Sequence, residues 1–545
     1  MKVIALMLAL AAQIYYTDIA PRSVFSYRTN NNYTGRKYFP QPMCGGVAVF
    51  DYDRDGSMDI FFTNGARFPE MTRTDPAFHN CLLRNKGDGT FQDVTAGAGL
   101  TGADLSFCYG VAAGDYDNDG FQDLFVACAG RNVLYHNNGN GIFTDATIGS
   151  GLEIKPADLL SVGGAWFDYD NDGLSDLVVA NYTFWRPDTD GRCLSNEIEM
   201  YCHPRTVRAV PQRLYRNLGK GKFEDVTEKA GLGSASGKGM GIGIADYNGD
   251  GAVDIFIAND TERNFLFINR RDGTFKEAGL LYGVAYNDQV ATVSAMGCDA
   301  KDFDNDGSVD VFYNDIAGQI FGLFRNEAGK FFTYVSVTHN IENISRQYTG
   351  WGGGFIDYNN DGWKDIYSAN GELDPDLPNA RQRDALFENR QGKNFIDVSA
   401  RLGKDFQRAG FQRGSAFGDL NNDGFLDIVV TSLDQKPRIL LNSGGNGAHW
   451  LLVSLTGKQS NRDAIGAKIK VTTASGRELY NHITSSVGFM SSSDIRAHFG
   501  LDNEKAIKEV EIVWPGGAVQ KLSNVSADQI LKITEPEPKQ SVSGK

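Results

Sequence analysis

The chain has 545 residues, enough for two or more domains or one large repeat architecture, and carries 68 acidic against 53 basic side chains for a formal net charge of -15. No basic stripe interrupts this acidity, which argues against nucleic acid as a ligand. No run after the amino terminus reaches the roughly 18 apolar residues of a membrane span.

Residues 1–12 are predicted as a short secretory signal, with Lys2 followed by an apolar run from Val3 to Ala12 and small residues near a cleavage point. Next, Tyr16-Thr17-Asp18-Ile19-Ala20 reads as the tail of a repeat without its beginning. Its relatives are Phe91 to Thr95, Phe143 to Thr147, Phe223 to Thr227 and Phe395 to Ser399. The first whole unit opens on a glycine-rich apolar strand, Cys44 to Phe50, and enters the loop Asp51-Tyr52-Asp53-Arg54-Asp55-Gly56-Ser57-Met58-Asp59. A second strand, a connection, a third strand ending near an Asn, a glycine turn and a fourth strand complete it.

The same nine-residue loop returns at Asp115, Asp168, Asp246, Asp302, Asp357 and Asp419. Position 1 is always Asp, position 5 Asp, position 6 Gly and position 9 Asp, with Asp or Asn at position 3. The candidate ligands are therefore Asp51, Asp53, Asp55 and Asp59; Asp115, Asp117, Asp119 and Asp123; Asp168, Asp170, Asp172 and Asp176; Asp246, Asn248, Asp250 and Asp254; Asp302, Asp304, Asp306 and Asp310; Asp357, Asn359, Asp361 and Asp365; and Asp419, Asn421, Asp423 and Asp427. Oxygen ligands at alternating positions before a turn-forming glycine are the first half of an EF-hand loop. An EF-hand continues into a helix, whereas these loops run into β-branched and aromatic stretches such as Ile428-Val429-Val430, so each joins two strands. Carboxylates at 1, 3, 5 and 9, with a backbone carbonyl near 7, suit a hard cation of flexible coordination, and up to seven Ca2+ ions are predicted. The plain alternative is an Asx-rich turn without metal; seven copies in one register weigh against it, because carboxylates crowded together without a cation repel. Seven divalent cations would cancel nearly all of the net charge.

Between Tyr182 and Arg208 lies a long insertion in which Cys193 and Cys202 are predicted to form a disulfide that staples a loop without a core. The pairing of Cys44, Cys81, Cys108, Cys128 and Cys298 stays open. The glycines of Gly237 to Gly243 imitate a nucleotide loop, but they enter a strand and an Asp loop rather than a helix.

The seventh unit stops at Asn442 with no fourth strand, and the fragment around Ile19 can supply one. The two chain ends then close the ring, so residues 13–445 are predicted as a seven-bladed β-propeller, with the glycine-rich strands innermost, where small residues allow close approach. Trp351 and Arg413 begin inner strands, which places them near the channel mouth as candidate ligand contacts; core packing is the simpler reading for Trp351, and Arg413 reads equally as half of an ion pair with a neighbouring acidic residue. His136 and His203 read as strand and loop residues rather than ligands, and His498 as packed. Residues 446–535 show alternating runs that predict a separate antiparallel β domain, and residues 536–545 are polar and predicted disordered.

The Asp loops with their F-x-D-V-T tails resemble FG-GAP/VCBS repeats, the type found in the integrin α-chain propeller. The block from Ser460 to Ala467, together with His498-Phe499-Gly500-Leu501 and Trp514-Pro515-Gly516-Gly517, resembles the ASPIC/UnbV domain. In combination the chain is similar to the cartilage acidic protein family. That resemblance implies a secreted or periplasmic all-β protein with calcium-loaded blades that binds a protein or glycan. An alternative is a propeller enzyme acting on a small molecule at the channel mouth or the domain interface, a biosynthetic role to which the UnbV name points; no HExxH, GxSxG, P-loop or CxxC motif is present.

Overall fold

Each Asp loop reverses the chain tightly because its fourth residue is left-handed in all seven copies (Arg54, Asn118, Asn171, Gly249, Asn305, Asn360 and Asn422), a conformation that Gly and Asn adopt most readily. The computed structural model describes residues 13–153 and 156–537; the predicted signal at 1–12 and most of the predicted tail at 536–545 lie outside the described residues. Around each loop the chain forms a four-stranded antiparallel sheet, as in Val47–Phe50, Asp59–Phe62, Cys81–Asn85 and Phe91–Asp93. The other six begin at Cys108–Gly114, Leu159–Phe167, Gly239–Ala245, Cys298–Lys301, Gly350–Ile356 and Gln412–Gly418. In the last of these the outer strand is Tyr16–Asp18, with Tyr16 opposite Asn442 and Asp18 opposite Leu440.

The first strands of successive sheets lie side by side, and the first strand of the seventh sheet lies beside that of the first, so the cycle closes. Five residues before every loop stands a glycine: Gly46, Gly110, Gly163, Gly241, Gly297, Gly352 and Gly414. A Cβ at Gly46 would meet the Tyr109 carbonyl oxygen at 2.5 Å, and one at Gly414 the Gly45 carbonyl at 2.3 Å. Backbone packs directly on backbone around the axis, which only glycine permits.

The axis itself is filled. Between the strands Glu478–His482 and Ala497–Asp502 the chain sends a finger through the ring, with Phe489 and Met490 at its tip, both buried. On the way in, Ser485 Oγ donates to Ala113 O (3.1 Å), Ser486 Oγ to Ile242 O (2.8 Å) and Gly488 N to Cys298 O (2.8 Å). On the way out, Met490 O accepts from Val111 N (3.1 Å), Ser492 exchanges hydrogen bonds with Val47 and Val49 (2.9 Å each), and Asp494 N donates to Phe417 O (3.0 Å). At the far end Phe39, Met43, Tyr182 and Trp185 cover the tip. Lys37 on Asp374 (2.5 Å) and Arg36 on Asp190 (2.8 Å) and Glu199 (2.7 Å) pin that cover.

The carboxy-terminal strands form a four-stranded antiparallel sheet (Glu478–His482, Lys468–Thr473, Ala506–Val513, Val519–Ser526) and a three-stranded sheet. In the latter His449–Thr456 pairs antiparallel with Ala497–Asp502 but parallel with Gln529–Thr534, which corrects the expectation of a wholly antiparallel domain; alternation along a strand is the same for either direction of pairing. It packs directly on the ring: one apolar cluster joins Leu451, Ile465 and Phe499 to Trp166, Ile242 and Val253.

Of the seven cysteines, Cys193 pairs with Cys202, and Cys108 with Cys128 across the first two strands of one sheet. Cys44, Cys81 and Cys298 are buried thiols. No described helix is long and apolar enough to cross a membrane.

Candidate metal ring and its clamp

The seven Asp loops share two hydrogen bonds and six of them a third. The position 1 carboxylate accepts from the position 6 glycine N–H through Oδ2 at 2.7 to 3.0 Å. In six loops its Oδ1 accepts from the position 5 N–H. The position 9 carboxylate closes the loop by accepting from the position 2 N–H, as Asp59 does from Tyr52 (3.2 Å). These bonds hold the carboxylates of one loop against each other; ligand oxygens of Asp51, Asp53 and Asp59, of Asp115, Asp117 and Asp119, of Asp168, Asp170 and Asp176, and of Asp302, Asp304 and Asp306 lie within 4.8 Å of one another in each set.

Such crowding is costly for the bare carboxylates. Burial, with the neighbouring charges, pushes Asp59 up to about 9, Asp115 and Asp357 to about 8, and Asp123, Asp168, Asp302 and Asp419 to about 7. Oδ1 of Asp53, Asp115, Asp170 and Asp304 is buried and accepts no hydrogen bond. An orphaned buried carboxylate oxygen calls for a partner, and an all-oxygen set of this kind fits a hard divalent cation.

The loops are tied to each other by an asparagine that ends each third strand: Asn85, Asn137, Asn217, Asn269, Asn326, Asn389 and Asn442. Its N–H donates to the position 9 carboxylate of its own loop at 2.7 to 2.8 Å. Its side-chain amide donates to a carbonyl of its own loop and, at 2.7 to 2.9 Å, to the position 2 carbonyl of the preceding loop. Asn85 reaches Leu420 of the seventh loop, which completes the circle. From sequence this asparagine marked only the end of a strand; its recurrence in all seven units was the signal of a shared role. Replacing Asn137 with Ala leaves the carbonyls of Tyr52 and Gln122 without their donor. The expected cost is about 2 to 4 kcal/mol in guanidinium unfolding, from two buried groups left unpaired.

The carboxy-terminal sheets sit on the loop face of the ring. Asp463 Oδ2 accepts from Asp115 N (2.9 Å), Lys468 ion-pairs with Asp246, Arg477 donates to Asp361 O (2.7 Å) and Arg496 to Asp419 O (2.9 Å). This clamp includes the block from Ser460 to Ala467 singled out in the sequence.

Trp351 and Arg413 meet, but inside. Arg413 lies over the Trp351 ring at 4.0 Å and Phe489 packs on its edge at 5.1 Å. Both side chains have no exposed surface, and Arg413 spends its donors on the carbonyls of Pro42, Gln412 and Glu372; burial pushes its guanidinium down to about 9. Neither is available to a ligand, and among the described residues Arg413 forms no ion pair with a carboxylate: the finger that covers them is distant in sequence. His498 is buried with Nε2 on the Gly424 carbonyl (3.0 Å). His203 caps a short turn through Arg205 N, and His136 lies on a strand beside the second Asp loop.

Comparison with known proteins gives a consistent result. The FG-GAP-like repeat family profile matches residues 74–126, 115–179, 207–257, 246–313, 302–368 and 357–430, and the ASPIC and UnbV profile matches 457–540. Cartilage acidic protein 1 of Mus musculus is 25% identical over 504 residues, covering 90% of this chain and 65% of its own length. The Homo sapiens protein is 24% identical over 507 residues, covering 90% and 63%. The chain thus spans less than two thirds of these relatives. Among solved structures, the BP39L lectin from Burkholderia pseudomallei superposes with a TM-score of 0.44 at 8% identity, over 74% of this chain and 97% of the lectin. An Agrocybe aegerita lectin that recognises non-reducing terminal N-acetylglucosamine gives 0.42 at 14%, over 71% and 88%.

Proposed function

This chain belongs to the FG-GAP-like repeat family and ends in an ASPIC and UnbV domain, and from that premise we propose that it is an exported, calcium-braced seven-bladed propeller that binds a protein partner. Calcium in the Asp loops would neutralise the ring, and the carboxy-terminal clamp and finger would hold it rigid. The two disulfides suit a compartment where thiols are oxidised, and millimolar calcium outside the cytosol suits open, low-affinity loops.

The observation that carries the binding reading is the hairpin stapled by Cys193 and Cys202. Its strands Cys193–Ser195 and Ile198–Met200 turn through Asn196 and Glu197 on the face opposite the Asp loops. Leu194 and Ile198 are 63% and 65% exposed there, so a rigid tip presents two aliphatic side chains that support nothing in their own fold. With the axis occupied by the finger, a ligand is left with surfaces such as this one rather than with the channel mouth. A polar ligand has a second option, a groove of about 920 Å³ between the third and fourth sheets, lined by Arg216, Lys229, Arg271 and the Pro515-Gly516-Gly517 turn.

The test is capture of extracellular proteins, and in parallel a glycan array, by the parent and by Leu194→Ser/Ile198→Ser. The double substitution is expected to lose protein capture while leaving the melting temperature within about 2 °C, since exposed positions contribute little to stability. Equal capture by both proteins would remove the hairpin from the interface, and glycan binding unaffected by it would move the site to the groove.

A further inference from the structure

We infer that the second Asp loop differs in kind from the other six and is a mixed nitrogen and oxygen site for a borderline transition cation of the zinc or cobalt class, held by His136 with Asp117 and Asp123. This goes beyond the calcium reading of the ring and does not depend on it.

The residue just before each tying asparagine is the variable part of an otherwise repeated unit: Arg84, His136, Arg216, Ile268, Arg325, Glu388 and Leu441. In the first and third loops it is a built-in cation, with Arg84 Nε 2.8 Å from Asp53 and Arg216 Nε 2.7 Å from Asp170. In the second loop the shorter imidazole places Nδ1 3.4 Å from Asp117 Oδ2 and 3.3 Å from Asp123 Oδ1. A tetrahedral ion with bonds of about 2.0 to 2.1 Å to nitrogen and oxygen separates its donors by about 3.3 Å, so Nδ1 stands from each oxygen at the spacing such an ion requires, and ligand atoms of all three residues lie within 4.8 Å of one another. Calcium takes oxygen, whereas imidazole is a favoured ligand of zinc, cobalt, nickel and copper.

Two further observations point the same way. Asp115 has no exposed surface, yet its Oδ1 accepts no hydrogen bond. In the other six loops the equivalent oxygen takes the position 5 N–H; here that N–H, from Asp119, turns to Asp117 Oδ1 (3.3 Å), while Asp115 lies beside Asp117 and Asp119, with one carboxylate oxygen of each within 4.8 Å of the others. His136 Nδ1 is also buried without a hydrogen bond of acceptable geometry, and the Tyr116 ring packs on the imidazole at 6.0 Å, which fixes its plane.

The experiment uses the full chain, stripped with a chelator, returned to millimolar calcium and titrated with Co2+. The expected result is one Co2+ per chain with the visible absorption of a tetrahedral site, displaced by one equivalent of Zn2+. His136→Arg, which copies the first and third loops, should abolish that absorption while the calcium-dependent rise in melting temperature persists. A parent that takes up no Co2+ in calcium, or absorption that survives His136→Arg, overturns the inference: the imidazole is then a counter-charge of the Arg84 kind, or the ion sits elsewhere, for instance at His449 and Asp528 on the surface. If His136→Arg does not fold, His136→Gln is read the same way. Loss of the calcium effect on melting, with the Co2+ site intact, would sink the calcium reading alone.

Discussion

Chelation with EDTA is expected to lower the melting temperature by on the order of 10 °C. Each loop filled at a hundred times its dissociation constant contributes about 2.7 kcal/mol, and for a chain of this length 1 kcal/mol corresponds to roughly 1 °C. The pH dependence of the stripped protein gives the sharper check. Burial raises Asp59, Asp115, Asp123, Asp168, Asp302, Asp357 and Asp419 to values between about 7 and 9, against about 3.9 in an unfolded chain. The folded, metal-free protein then binds more protons than the unfolded one across that interval, so its stability falls as pH rises from about 4 to about 9. With calcium present the sign reverses on the acid side, because protons compete with the ion for the same oxygens. Thermal melts at pH 5 and pH 8, with and without EDTA, should therefore cross: the stripped protein gains on acidification and the calcium form loses. Parallel curves, or no EDTA effect at pH 8, would mean that these carboxylates hold no structural ion.

The second large effect concerns the finger in the axis. A Cβ at Gly297 would lie 2.5 Å from Phe489 N and 2.5 Å from the Trp351 carbonyl oxygen. Both obstacles are backbone, so the clash cannot be relieved by a rotamer change, and Gly297→Ala should cost about 3 kcal/mol or more. Phe489→Ala, which empties the tip of the finger against Trp351, should cost about 3 to 5 kcal/mol. Gly35→Ala, where nothing lies within 4 Å of the new methyl, is the control. Denaturant unfolding of the three variants decides the matter. If Gly297→Ala matches the control, the finger does not fill the axis in solution, and the channel returns as a place for a ligand.

These two experiments also mark where sequence reading reached and where it stopped. The Asp loops were legible because each is a local object: nine consecutive residues carry the clustered carboxylates, the left-handed turn and the closing carboxylate. The closing strand was legible too, since a fourth strand was missing at one end of the repeats and left over at the other. Glycines ahead of each loop announced an axis with no room for side chains. The assignment of Trp351 and Arg413 to an open channel failed because it assumed the axis was empty; the segment that covers them lies more than seventy residues beyond Arg413, in another domain, and carries no motif of its own. The parallel pairing of His449–Thr456 with Gln529–Thr534 was hidden for a related reason, as alternation tells which face of a strand is apolar and not which way its neighbour runs.

By itself, then, the sequence determined what short-range spacing sets, namely the all-β class, the repeated acidic turns and the disulfide of the insertion, and, by counting strands per repeat, the strand that closes the ring. Only the tertiary structure decided what fills the axis, which thiols pair across a sheet, and which side chains look into the first three acidic turns. Those are matters of contact between residues distant along the chain, and no local pattern encodes the partner that folding brings to them.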